Sequence, residues 1–400
     1  MNQELSSFAA RLRRAIQDRD AALRRPDSAA RCPYQESKFN SLALELFALQ
    51  FTHNTAYRTI CEARGLTPDI VEHWTQIPAV PAAAFKELEI SCIPPEKRTA
   101  VFYSSGTTGQ KSSRHYHCAE SLEVYEASLS AWFLANVLPD LRFAICDLRL
   151  ICLTPPPGQT RHSSLVHMFE TVRSRVCESA DHSFFGTVAA DGSWGLDLDG
   201  VIAALNSSLI TRHPSLLLGT AFSFVHLLDF MGEHNLRFQL SAGSRVMETG
   251  GYKNRSRSMP KVELHALITE RLGVPPENIV YEYGMSELSS QAYDSVTSDE
   301  WRVAGNDGTS HHLSPATRHF HFSPWARVQI VSPETGREVA DGGTGLICVF
   351  DLANVFSVMA VQTEDLGVRR GDGFELLGRA QMAEPRGCSL MMEGSAWSLP

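Results

Sequence analysis

Tyr103-Ser104-Ser105-Gly106-Thr107-Thr108-Gly109-Gln110-Lys111-Ser112-Ser113 follows directly on the apolar run that begins at Ala100, and it gathers hydroxyls, two glycines and a lysine into one short loop. A strand that runs into such a loop is suited to holding an anion. Glycines let backbone N–H groups approach phosphate oxygens, Ser and Thr add donors, and the lysine supplies charge. The loop is not a Walker A motif, because Gln110 stands where that motif needs the glycine before its lysine. The GTPase and kinase readings therefore lapse, and the bland competitor is a polar surface loop.

Around this loop, residues 100 to 290 alternate short apolar runs with helix-like segments. Ala100 to Tyr103, Leu148 to Leu153, Ser215 to Leu218 and Asn278 to Tyr283 are the strand candidates. That alternation predicts α/β layers with parallel strands. After 310 the character changes. His319 to Phe322, Arg327 to Val331, Gly345 to Phe350 and Gly373 to Leu377 are short β-like runs separated by Pro-Glu-Thr-Gly (333–336) and Asp-Gly-Gly (341–343), which predicts a compact antiparallel sheet or barrel. Toward the start, Phe8, Leu12, Ile16 and Leu23 fall at helical spacing among several arginines and predict an amphipathic opening helix. Residues 36 to 64 read as one long helix, and Ile77-Pro78-Ala79-Val80-Pro81 as an extended crossing.

Of the 400 residues, 43% are hydrophobic and 20% charged, enough for a large core in one domain or two. The net charge of −9, with no long basic run, disfavours a nucleic-acid partner. Nine scattered cysteines without a Cys-x-x-Cys pair point to a reducing, cytoplasmic setting, and the first residues lack the basic and apolar regions of a secretory signal. The most apolar stretch, Leu216 to Met231, is interrupted by His226 and Asp229 before the ~20 residues a membrane span needs, so no span is expected.

Ser104 to Gly109 resembles the phosphate loop of the adenylate-forming superfamily, which joins a carboxylate to AMP from ATP and passes the acyl group on. Three further segments follow in the family's order. Glu248-Thr249-Gly250-Gly251-Tyr252-Lys253 is similar to the glycine pair lying along adenine. Tyr283-Gly284-Met285-Ser286-Glu287 is similar to the aromatic-Gly-x-Thr-Glu motif. Thr363-Glu364-Asp365-Leu366-Gly367, with Gly378-Arg379, is similar to the ribose-binding aspartate and the hinge arginine. The resemblance implies that Tyr283 stacks on adenine, that Asp365 and Arg379 hold the ribose, and that Met285 and Ser286 line the nucleotide. It also implies that Glu287 ligates Mg²⁺, a hard cation that prefers carboxylate oxygen.

Within the superfamily the chain resembles the acyl-protein synthetase (LuxE) family over nearly its whole length. Phe39-Asn40-Ser41-Leu42-Ala43-Leu44, Phe85-Lys86, His162-Ser163-Ser164-Leu165, Gly219-Thr220-Ala221-Phe222 and Arg386-Gly387-Cys388-Ser389-Leu390 all match. The implied function is activation of a carboxylic acid, fatty or related, to acyl-AMP, with transfer to the thiol of Cys388 or to an acyl-reductase or carrier-protein partner. Coenzyme A or amine acceptors and a non-catalytic nucleotide-binding subunit are the alternatives. The implied architecture is α/β: an adenylating domain over 1–377 in two α/β layers, a small β-barrel at about 312–377, and a short stub at 378–400. Ordinary superfamily members carry a catalytic lysine in a domain after the hinge. The 21 residues after Arg379 hold none, which leaves Lys111 as the substitute, together with Mg²⁺ and the loop donors. His162 is expected to line the carboxylate site or to cap the helix after Pro155-Pro156-Pro157-Gly158.

Three rival readings rest on single features. Gly284-Met285-Ser286-Glu287-Leu288 lacks the second glycine of a serine-hydrolase nucleophile elbow. His115-x-His117 and His319-x-His321 each put two imidazoles on one strand face but lack a third clustered zinc ligand. Leu216 to Leu218, Phe222, Phe224, Val225 and Leu227 line an acyl tunnel or fill the core, and core filling is favoured.

Overall fold

In the computed structural model of the chain, the described residues are 2–23, 34–104, 111–139, 148–176, 183–250, 259–296 and 318–380. The opening pattern resolves into α1 (Gln3–Leu23), whose Phe8, Leu12 and Ile16 are buried while Arg11 pairs with Glu45 and Arg13 with Glu123. The helix expected over 36–64 is two helices, α2 (Glu36–His53) and α3 (Thr55–Ala63). Asn54 breaks it: its backbone is extended, and its side chain accepts from the Tyr57 N–H at 3.1 Å, a cap that competes with helix continuation.

The chain continues through β1 (Val80–Pro81), α4 (Ala84–Glu87), β2 (Ala100–Tyr103), β3 (Arg114–His117), α5 (Ala119–Val137), β4 (Arg149–Cys152) and α6 (Ser164–Val176). Next come β5 (Gly186–Val188), β6 (Trp194–Leu196), α7 (Leu198–Thr211), β7 (Ser215–Thr220), α8 (Ala221–Glu233), β8 (Arg245–Thr249), α9 (Lys261–Leu272) and β9 (Ile279–Tyr283). The last strands are β10 (Ala292–Val296), β11 (Arg318–Phe322), β12 (Ala326–Val331), β13 (Thr344–Asp351), β14 (Ala360–Arg370) and β15 (Gly373–Arg379).

Among the described residues, the largest sheet runs β12-β13-β14-β15-β11-β10-β9-β8-β7-β4, with β1 alongside β14. Its β4, β7, β8 and β9 are parallel. From β9 onward the pairings to β12 are antiparallel. The parallel strands are buried on both faces, which is why they read as unbroken apolar runs. Leu150, Cys152, Leu216, Leu218, Met247 and Val280 join the core that includes α5 and α6. Ile151, Leu153, Leu217, Val246 and Ile279 join the other, under α7, α8 and α9. Leu216 to Leu218, Phe224, Val225 and Leu227 are fully consumed by these two cores, and Phe222 packs half-buried against the His226 ring.

One strand departs from expectation. Ala100–Tyr103 pairs with β3 as an antiparallel ribbon, Ala100 opposite His117, outside the large sheet. The short return through the glycine loop leaves no room for the crossover a parallel partner requires. No helix among the described residues is long and apolar enough to cross a membrane.

Candidate active site

The carboxyl ends of β8 and β9 lie side by side where the sheet changes from parallel to antiparallel pairing, the kind of switch point that leaves a crevice for a ligand. Gly284 follows β9 directly. A Cβ there would press on the Glu282 carboxylate, so a larger residue would displace that side chain. Gly250, at the end of β8, has φ +67°, which favours glycine. Its neighbour Gly251 lies outside the described residues, as do Ser105, Gly106, Thr107, Thr108, Gly109 and Cys388.

Glu287, four residues beyond Tyr283, is buried and accepts hydrogen bonds from the Ser113 hydroxyl and, at 3.0 Å, from the Ser286 hydroxyl. Burial pushes its carboxyl up, and the two hydroxyls oppose that rise. The backbone of the turn is held as firmly. The His115 ring, through Nδ1, donates to the Ser286 carbonyl at 2.7 Å, and Asn354 Nδ2 donates to the Glu287 carbonyl at 2.9 Å. Asp351, pushed up to about 6 by burial, accepts from Ser289 N–H, the Ser290 hydroxyl and Ala353 N–H at 2.7–2.9 Å. Strand β3 and the segment after β13 therefore grip opposite sides of one acidic turn.

Strand β3 is also the exit of the glycine loop. Ser104 and Ser113 tie its two ends together, with Ser113 N–H donating to Ser104 Oγ at 2.9 Å and Ser104 N–H to the Ser113 carbonyl at 3.3 Å. Lys111 pairs with Glu87 at 2.9 Å, both side chains more than half exposed, so the contact is a weak surface pair beside the loop. His162 is exposed, its Nδ1 3.1 Å from the Val101 carbonyl and its ring 4.9 Å from that of Tyr103. It flanks the strand entering the loop. Ser163 Oγ, accepting from Val166 N–H at 3.3 Å, makes the contact at the start of α6.

A second group gathers on Tyr283. Its hydroxyl donates to Asp365 at 2.9 Å, and Asp365 faces Arg379 across β14 and β15. Burial pushes the Asp365 carboxyl up while Arg379 draws it down. The Tyr283 ring is buried edge-on against Phe374, Phe320 and Phe322 at 5.3–6.3 Å. Met285 is partly buried against the same core.

The structure thus unites Ser104, Ser286 and Glu287 in one group and Tyr283, Asp365 and Arg379 in another, joined through Gly284 and Met285. Lys111 and His162 stand at the loop's edges. Sequence reasoning gave Ser113 no role beyond the loop, weighed His115 only as a metal ligand, and missed Asn354 and Asp351. The first two sit in the loop's own exit, whereas the last two, far along the chain, carried no local signal. The rival readings find no footing here: Ser286 Oγ donates to a carboxylate, unlike a nucleophile paired with imidazole, and the described residues hold no cluster of three His, Cys, Asp or Glu able to bind a metal. A buried carboxylate among hydroxyls does suit Mg²⁺ bound through a phosphate, since that ion takes one or two carboxylates and fills its other positions with water and phosphate oxygen.

The sequence profile of the family described as acyl-protein synthetase, LuxE, matches residues 28–396. The long-chain-fatty-acid–luciferin-component ligase of Aliivibrio fischeri is 23% identical over 366 residues, covering 88% of this chain and 87% of that protein. The Vibrio harveyi protein of the same name is 23% identical over 366 residues, covering 90% and 88%. Among solved structures, 2-hydroxyisobutyryl-CoA ligase in the postadenylation state with 2-HIB-AMP matches at a TM-score of 0.60 and 13% identity, over 89% of this chain and 71% of that one. Its open conformation with 2-HIB-AMP and CoA matches at 0.59 and 13%, over 89% and 74%. At such identity the likeness is one of fold, the mixed α/β fold of adenylate-forming ligases.

Proposed function

Because the chain belongs to the acyl-protein synthetase (LuxE) family, we propose that it activates a carboxylic acid with ATP to an acyl adenylate and hands the acyl group to a thiol. The observation that carries this reading is Glu287, a buried carboxylate tied through Ser113 to the exit of the glycine loop.

In this reading the loop from Ser104 to Gly109, with Lys111, binds the ATP phosphates. The Gly250–Gly251 backbone and Tyr283 flank the adenine, while Asp365 and Arg379 take the ribose. Mg²⁺, held by Glu287 beside Ser286, would supply charge neutralisation on the phosphates. The acid's carboxylate oxygen attacks the α-phosphorus, its bond forming as the bond to the β-phosphate oxygen breaks and pyrophosphate leaves. His162, at the loop's edge, orients that carboxylate. A thiolate then attacks the acyl carbon and AMP departs, giving a thioester that stays activated for a second acceptor. Cys388 is the proposed thiol, and an acyl-reductase or carrier protein the onward partner. Residues 1–377 form the adenylating unit, with about 312–377 as its barrel-like part, and 378–400 carry the thiol.

Acid-dependent ATP–pyrophosphate exchange tests this directly, beginning with the long-chain fatty acids for which the two ligases are named. Exchange that persists in Cys388→Ala while covalent labelling by radioactive acid disappears is the expected result. Labelling that persists would remove Cys388 from the second step, and ATP binding without exchange for any acid would leave a non-catalytic subunit.

A further inference from the structure

The α5 side of the β9–β10 tip carries polar side chains that the adenylation chemistry above leaves unused. Glu282 and Tyr293 are register partners on adjacent strands, and a Cβ on Gly284 would lie 3.4 Å from Gln291 Cγ and against the Glu282 carboxylate, so Glu282, Gln291 and Tyr293 share one face. Tyr125 of α5 borders it, with the His117 ring of β3 6.1 Å behind the Tyr125 ring. Tyr125 lies within electrostatic reach of both Glu282 and Tyr293.

These groups are deeply buried, with Tyr293 and His117 1% exposed and Gln291 5%. Among the described residues, Tyr293 Oη, Gln291 Oε1 and His117 Nε2 nevertheless have no hydrogen-bond partner. A saturated chain laid against them would leave all three unsatisfied, whereas a hydroxyl or amino group would pair with them. Glu282, which accepts from the Thr249 hydroxyl and is pushed up to about 7 by burial, adds a group able to accept or donate. Gly284 and Gln291 flank Glu287 along the chain, so this face adjoins the acidic turn. Of the apolar residues considered for an alkyl tunnel, Leu216 to Leu218, Phe224, Val225 and Leu227 are spent in the core instead.

We infer that the activated acid bears a hydroxyl or amino group, bound on the face formed by Glu282, Gln291 and Tyr293. The inference rests on the adenylation reading and narrows its substrate class.

The test measures kcat/KM for ATP–pyrophosphate exchange with acids matched in size. Hydroxy- and aminobenzoates are set against methylbenzoates, and hydroxyoctanoates against nonanoate and longer saturated acids. The best polar acid should exceed its apolar match by at least about tenfold, since a site built around hydrogen bonds rejects a partner that lacks them. In Tyr293→Phe that ratio should fall about tenfold with no loss of thermal stability, because the oxygen removed has no partner among the described residues. Preference for a saturated acid would overturn the inference and leave adenylation standing. So would an unchanged ratio in Tyr293→Phe, which would mean that internal water satisfies these atoms. Absence of exchange with every acid would overturn both readings.

Discussion

Glu287 lends itself to the sharpest single-residue experiment. Glu287→Gln keeps the shape and both hydroxyl neighbours but loses the charge, and should lower the exchange rate by roughly 10²- to 10³-fold while raising the Mg²⁺ needed for half-maximal rate. A melting temperature equal to or above that of the parent would show that the loss is chemical, because the carboxylate is a desolvated group whose burial costs stability. His115 acts one bond further out, through the Ser286 carbonyl. Asn and Leu are of similar size and differ in the donor, so His115→Asn should stay within about threefold of the parent in Mg²⁺ half-saturation and His115→Leu shift it about tenfold. Equal values for the two would show that the imidazole only fills space. At this scale the sequence offers candidates where a motif is contiguous, and Ser104, Gly284, Ser286, Glu287 and Asp365 are the ones it proposes from local pattern. His115 was weighed only as a metal ligand, because nothing local says that its ring faces a carbonyl 171 positions away.

Among the elements, the α2–α3 break shows what periodicity conceals. Apolar spacing continues through 36–64, yet Asn54 both caps α3 and donates to the Ser357 carbonyl at 3.3 Å, tying the break to the segment that also holds Glu287. Asn54→Ala should cost about 1–2 kcal/mol in urea unfolding, the range for a lost cap. The signal was present in the sequence as Asn54-Thr55, but a run of helical spacing on both sides outweighed it. The β2–β3 ribbon was legible as a strand but not in its partner. A four-residue apolar run states that it is extended, and only the length of the return sets which direction it pairs. Ser113, just before this ribbon's second strand, and His115, within it, are what fasten the loop's exit to the acidic turn.

At the level of the whole molecule, buried ionisable groups pull stability in opposite directions with pH. Glu282 is raised from 4.5 to about 7, so the folded state binds its proton more tightly; that contribution is full below about 4.5 and is lost as pH rises through 7. His115 is lowered from 6.5 to about 4, so its contribution is full above 6.5 and is lost as pH falls through 4. The parent should consequently show a flattened profile across this range. Glu282→Gln should gain on the parent by about 3 kcal/mol between pH 4.5 and pH 8, read from urea midpoints. A constant difference would show that folding leaves the proton affinity of Glu282 unchanged. The change from parallel to antiparallel architecture was visible in the sequence, in short apolar runs alternating with helix-like segments before 290 and turn-punctuated β-like runs after 310. Their fusion into one sheet was not, because it depends on β10, whose residues form no such run.

That fusion passes through a narrow weld. Strands β11 and β15 are registered at a single pair, Phe320 opposite Phe374, whose rings stack at 5.3 Å. Tyr283 lies on one side of the weld and Asp365 on the other, so a nucleotide touching both would act as a staple across this single registered pair. The amides of β14 and β15 should then become the most strongly shielded from deuterium when ATP is added, far more so than those of β4 and β7.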